Sequence, residues 1–72
     1  MSHEGCAVRV NGEMRLVTAE SVERMLDELG YPAGTPGIAV ALNGEIVPRR
    51  RWSDQRLASG DEVEIVEAVQ GG

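Results

Sequence analysis

Seventy-two residues suffice for one small domain and no more, and a core of that size leaves only about 3–5 kcal/mol of net stability unless a disulfide or a metal adds to it. A single cysteine, Cys6, and a single histidine, His3, exclude a disulfide framework and a zinc set. Twelve acidic residues stand against seven basic ones, all arginine, and a formal net charge of -5 argues against a nucleic-acid backbone as partner.

The apolar fraction is 42%, with no Phe and only Trp52 and Tyr31 as aromatics. A core of Val, Ile and Leu suits a half-buried pleated surface. No apolar stretch is long enough to cross a bilayer, and residues 1–5 lack the basic start and apolar run of a secretion signal. A cytoplasmic protein that touches no membrane is the expectation.

In chain order, Cys6-Ala-Val-Arg-Val10 and Glu13-Met-Arg-Leu-Val17 read as strands, with Asn11-Gly12 as a hairpin cue between them. A two-residue loop would set Val10 against Glu13 and Val8 against Arg15, mixing core and solvent faces. A loop of Asn11, Gly12 and Glu13 pairs Val10 with Met14 and Val8 with Leu16, and this apolar register is the one expected. It requires a longer loop or a bulge at Gly12 and Glu13.

Val22, Met25, Leu26 and Leu29 then fall at i, i+3, i+4 and i+7, one stripe of a helix over 22–29. Ser21 is its N-cap, with Thr18 as an earlier alternative, and Gly30 followed by Pro32 ends it. The acidic residues off the stripe form its solvated face.

Residues 31–37, with two prolines and two glycines, read as a loop. Ile38-Ala-Val-Ala-Leu42 is nearly all apolar, as a central strand is. Asn43-Gly44 turns the chain into a short strand at Ile46-Val47, which Pro48 stops. Residues 52–57 suggest one helical turn. Ser59-Gly60-Asp61 leads into a last strand, Glu62-Val-Glu-Ile-Val-Glu67, where Val63 and Ile65 alternate with acids. The expected core is Val8, Val10, Leu16, Val22, Leu26, Leu29, Ile38, Val40, Val63 and Ile65.

Strand, strand, helix, strand, short strand, strand describes an α+β fold of the β-grasp, ubiquitin-like kind. It predicts a mixed sheet of four to five strands with one main helix packed on one face. Residues 1–69 form the domain and 70–72 a flexible Gly-Gly tail.

That tail carries chemistry. Two glycines without Cβ atoms can enter a narrow cleft, and a terminal glycine leaves its carboxyl carbon unshielded. A carboxylate is a poor electrophile, so such a tail implies activation by another protein through an acyl adenylate.

With the tail included, the chain resembles the ThiS family of sulfur carriers in thiamine (thiazole) biosynthesis, within the ubiquitin-like, MoaD-like β-grasp superfamily. The resemblance rests on ALNGEIVPRRRW and LASGDEVEIVEAVQGG. These hold the turn from Asn43 to Glu45, the segment Val47 to Arg49, Trp52, the Gly60-Asp61 turn, the strand Val63 to Val66, and Val69 to Gly72. The early VNGE at Val10 to Glu13 also fits. The extension around His3 and the extra Arg50 and Arg51 depart from the family pattern without touching the tail.

The resemblance implies that a ThiF-like adenylating enzyme of the ubiquitin-activating type uses ATP to adenylate Gly72. Sulfur from a cysteine desulfurase system then gives a thiocarboxylate, a 1-thioglycine, which a ThiG-like thiazole synthase consumes. Val69, Gln70, Gly71 and Gly72 would enter the partners' active sites. The chain itself would be no enzyme, with no catalytic residue, no metal and no bound cofactor.

Two other classes stay open. One shares the chemistry or fold: the small subunit of molybdopterin synthase, whose lead-in to the glycines usually bears a proline that Glu67-Ala-Val-Gln70 lacks, or a modifier forming isopeptide bonds. The other is a plain binding module with an accidental Gly-Gly end. Cys6 is expected to be a buried, inert thiol, His3 mobile, and Trp52 packed onto the sheet rather than anchoring a partner. Arg49, Arg50 and Arg51 form either a solvated turn or a partner contact.

Overall fold

The structure, a computed structural model, describes residues 5–68. Two Asn-Gly dipeptides set its frame. Asn11 and Gly12 alone join β1 (Cys6–Val10) to β2 (Glu13–Val17), and both have positive φ, 50° and 86°. Two successive left-handed residues make the tight hairpin turn whose twist matches the strands it connects. Val10 therefore faces Glu13 and Val8 faces Arg15.

This overturns the expected three-residue loop and the pairing of Val10 with Met14 and Val8 with Leu16. Leu16 was expected in the core and is instead 78% exposed, on the opposite sheet face, with Met14 beside it at 64%. The reason is the place of β2 at the edge of the sheet. Residues 13–16 are exposed whichever face they occupy, so burial specifies their register weakly and the turn decides it. Val17, where the strand passes under the helix, is the one buried residue of β2.

Helix α1 (Val22–Glu28) begins as its sequence indicates. The Ser21 hydroxyl accepts from the Arg24 N–H at 3.3 Å, and the Val22 and Glu23 N–H groups donate to the carbonyls of Gln55 and Trp52. Four orphan donors at a helix start need such partners. At the other end Tyr31 N–H reaches the Leu26 carbonyl at 2.7 Å and Gly30 N–H that of Asp27 at 3.2 Å. With Gly30 at φ 100°, this is the paired-bond closure that requires a left-handed residue after the helix.

β3 (Ile38–Leu42) turns through Asn43 and Gly44, again both left-handed, into β4 (Glu45–Val47). A 3-10 turn at Arg49–Arg51 follows directly on Pro48, earlier than the helical turn expected over 52–57. Proline fixes the φ that opens such a turn, and residues 55–57 are instead held extended against the start of the helix by the Leu57 N–H to the Glu20 carbonyl, 3.1 Å. β5 (Glu62–Glu67) closes the fold.

The five strands lie in the order β2-β1-β5-β3-β4. β1 runs parallel to β5 and the other neighbours are antiparallel, so the sheet is mixed. α1 buries Val22, Met25 and Leu26 against Val8, Val10, Val17, Val40, Val63 and Ile65. Leu29 and Ile38, expected in the core, are only partly buried, and Met25, Val17, Ala19, Val47 and Trp52 join it. Trp52 is 6% exposed and donates its indole N–H to the Val47 carbonyl at 2.9 Å, so it packs the connecting segment onto the sheet as expected. Cys6 is buried too, as expected.

Each turn asparagine also completes β5. Asn11 holds the Ile65 N–H and carbonyl with its amide at 2.8 and 3.1 Å, standing in for β1 where that strand has ended. Asn43 accepts from the Glu62 N–H at 2.9 Å. Asn11→Ala removes two such bonds and places an alanine in the left-handed region, and should lower stability by about 2–3 kcal/mol. Asn11→Gly relieves only the backbone strain and should recover part of the loss in urea denaturation. Equal stability of Asn11→Gly and wild type would show that the amide contributes nothing.

Candidate functional site

The residues to which the sequence assigns chemistry, Val69, Gln70, Gly71 and Gly72, lie outside the described residues, as do His3, the boundary at 69/70 and the expected mobility of the tail. What the structure does describe is the root from which that tail departs.

β5 lies at the centre of the sheet, flanked by β1 and β3. Strands at the centre are the best-anchored part of such a sheet, so the tail leaves from its firmest element. Glu67, the last residue of β5, pairs with Ile38 at the start of β3. One residue on, the Ala68 N–H donates to the Gly37 carbonyl at 2.6 Å, and a Cβ built on Gly37 would only touch that of Ala68.

Side-chain alternation places Glu67 on the same face as Val63 and Ile65, the face that carries the helix. It meets Tyr31 there, just after the helix closure. The Tyr31 hydroxyl donates to the Glu67 carboxylate at 2.5 Å. That bond above all, then partial burial and the carboxylate charge, raises the phenol above its usual 10.0. A raised value favours the protonated phenol in the folded chain. The contribution to stability is complete below the unfolded value and is lost as pH rises through the higher folded one.

Neither contact was evident from the sequence. A tyrosine directly after a helix-ending glycine was the available signal, but nothing local says that position 67 will be its partner. The loop that carries Tyr31 is braced from its far side. Arg49 donates to the Thr35 carbonyl at 2.9 Å and its guanidinium lies 4.5 Å from the centre of the Trp52 ring. Arg49, Arg50 and Arg51 are all exposed, and Arg49 makes the two contacts just described.

The sheet face away from the helix carries exposed Met14, Leu16, Ile46 and Val66, between 63% and 78% accessible, with Ala7, Ala39 and Ala41 among them. Arg9, Glu62 and Glu64 lie on the same face between them, so these apolar side chains are separated by charge. Among the described residues no group of three or more His, Cys, Asp or Glu could hold a metal ion, and no helix is long and apolar enough to cross a membrane.

Comparison with known proteins agrees with this geometry. A sequence profile of the ThiS family matches residues 8–72. The sulfur carrier protein ThiS of Thermus thermophilus is 37% identical over 65 residues, 90% of this chain and 98% of that protein. ThiS of Escherichia coli is 29% identical over 59 residues, 82% of this chain and 86% of that one. A thiazole synthase of Paramagnetospirillum magneticum is 39% identical over 64 residues, which are 88% of this chain but only 19% of that protein. The crystal structure of the thiamine biosynthesis protein ThiS from Geobacter metallireducens superposes with a TM-score of 0.75 at 32% identity, covering 92% of this chain and 99% of that one. A five-stranded mixed sheet with β5 at its centre, and agreement with these proteins along nearly the whole chain, place the protein in the ThiS family of sulfur carriers.

Proposed function

We propose that this chain is the sulfur carrier of thiamine thiazole biosynthesis and that its working group is the Gly72 carboxyl. The observation that carries this reading is the match of the ThiS family over residues 8–72, which includes Gly71 and Gly72.

In the proposed cycle a Gly72 carboxylate oxygen attacks the α-phosphorus of ATP in a ThiF-like enzyme, and pyrophosphate leaves. A persulfide sulfur from a cysteine desulfurase system then attacks the acyl carbon, and AMP departs. A thiol cleaves the resulting acyl disulfide, supplying the two electrons that bring the sulfur to the sulfide level, and a thiocarboxylate remains. A thiazole synthase takes that sulfur into the ring. The chain contributes no general acid, base or cofactor. It holds sulfur as a covalent group that partners recognise by the domain attached to it, so it acts as a co-substrate rather than an enzyme.

A thiazole synthase as partner is supported by the Paramagnetospirillum magneticum protein, in which a stretch similar to this chain forms part of a synthase. Joining two modules in one chain replaces an encounter by a high effective concentration, which is of use only where the two act together.

The test is mass spectrometry of the intact chain after incubation with a ThiF-like enzyme, ATP and a sulfur source. Exchange of one terminal oxygen for sulfur is the expected result. An unchanged mass under conditions that load a known ThiS protein would refute the proposal, and appearance of the chain in isopeptide linkage to other proteins would replace it with the modifier reading.

A further inference from the structure

We propose that the loop of residues 31–37 is a clasp that fixes the root of the Gly-Gly tail, with Tyr31 and Glu67 as positioning residues for activation of Gly72. The inference deepens the carrier reading and rests on it.

Gly72 is four positions beyond Ala68, and four extended residues span at most about 14 Å. A partner that docks on the domain must therefore have its reactive centre within that distance of Ala68. A short lead makes the outcome sensitive to where it starts, because small displacements of a reacting group can cost orders of magnitude in rate. The root is held at three points. The Ala68 N–H bonds to Gly37 at 2.6 Å, Glu67 pairs with Ile38, and the Tyr31 hydroxyl bonds to the Glu67 carboxylate at 2.5 Å.

The loop that supplies two of these contacts is itself pinned at both ends of its span. Tyr31 N–H is tied to the helix at Leu26, and Thr35 is held by Arg49, which lies on the buried Trp52. The Val-Pro-Arg and Trp residues of the second half thereby acquire a physical task remote from the tail in sequence. They brace the loop that holds the root. Tyr31 does this while partly buried against the edge of the core, and Glu67 from an exposed position at the end of β5.

Tyr31 is the sole tyrosine, so its ionisation can be followed directly by phenolate absorbance. Glu13 and Arg15 line the same depression as Tyr31, but Glu67 is its hydrogen-bond partner. In wild type the phenol should titrate above its ordinary range, and in Glu67→Gln the midpoint should fall. The kinetic arm measures ATP-dependent adenylation of the whole chain by a ThiF-like enzyme. Tyr31→Phe keeps the ring and deletes only the hydroxyl. It should lower kcat about three- to tenfold with KM for the carrier unchanged, because the bond is exposed and falls in the range of an ordinary hydrogen bond. Glu67→Gln, which retains an acceptor, should recover most of the rate, whereas Glu67→Ala should resemble Tyr31→Phe. A wild-type phenol with an ordinary titration, or equal kcat for wild type and Tyr31→Phe, overturns the clasp while leaving the carrier reading in place. A wild-type chain that is never adenylated overturns both.

Discussion

Deletion of Gly72 is expected to abolish thiocarboxylate formation completely while leaving the domain folded. The described core is drawn from residues 6–65, so removal of the last residue deletes no residue of that core. What it removes is the carboxyl at its required reach: the new terminus, Gly71, falls one residue, about 3.5 Å, short of the same point. Such a displacement exceeds the misplacement that costs a reaction a hundredfold. Gly71→Val should be nearly as damaging for a different reason, since a branched Cβ stiffens the backbone and widens it at the entrance to a cleft.

Cys6→Ser is the control that separates this mechanism from sulfur handling on the domain. Cys6 opens β1 and is buried, with its thiol 3.9 Å from the Leu57 carbonyl. The variant should therefore acquire sulfur normally, with at most a modest loss of stability from a buried hydroxyl. Sulfur acquisition by the Gly72 deletion, or its absence in a folded Cys6→Ser chain, would exclude the C-terminal mechanism.

Leu26→Ala should unfold a large share of the molecules at room temperature. Leu26 is 1% exposed at the centre of the helix–sheet contact, and truncating such a leucine costs about 2–5 kcal/mol. A domain of this size has a margin of about the same magnitude. Leu16→Ala is the informative companion, because Leu16 is 78% exposed on the other face. It should change stability by no more than about 0.5 kcal/mol. Denaturation midpoints of the two variants thus report the hairpin register directly. A large loss from Leu16→Ala would restore the slipped register in which that side chain belongs to the core.

The sequence alone determined those features in which local chemistry and burial agree. The helix is bounded by Ser21 and Gly30, whose types satisfy its end groups, and its apolar stripe admits one buried face. The alternation of Val63 and Ile65 with acids settled which side of β5 meets the helix. The family motifs, ending in Val-Gln-Gly-Gly, pointed to the carrier chemistry.

Tertiary structure decided whatever depended on neighbours far away in the chain. The apolar pattern of residues 13–17 favoured a slipped hairpin, yet β2 became an edge strand whose outer residues meet water on both faces, and the Asn11-Gly12 turn prevailed. The helical turn after β4 moved to Arg49–Arg51 because residues 55–57 were taken up in closing the helix start. Tyr31 and Glu67 are 36 positions apart and meet only because the end of the helix lies over the end of the central strand. Local propensity is read residue by residue, but a contact of that span exists only once the sheet order has been chosen, and the sheet order is set by which strands can bury one face beneath a single helix.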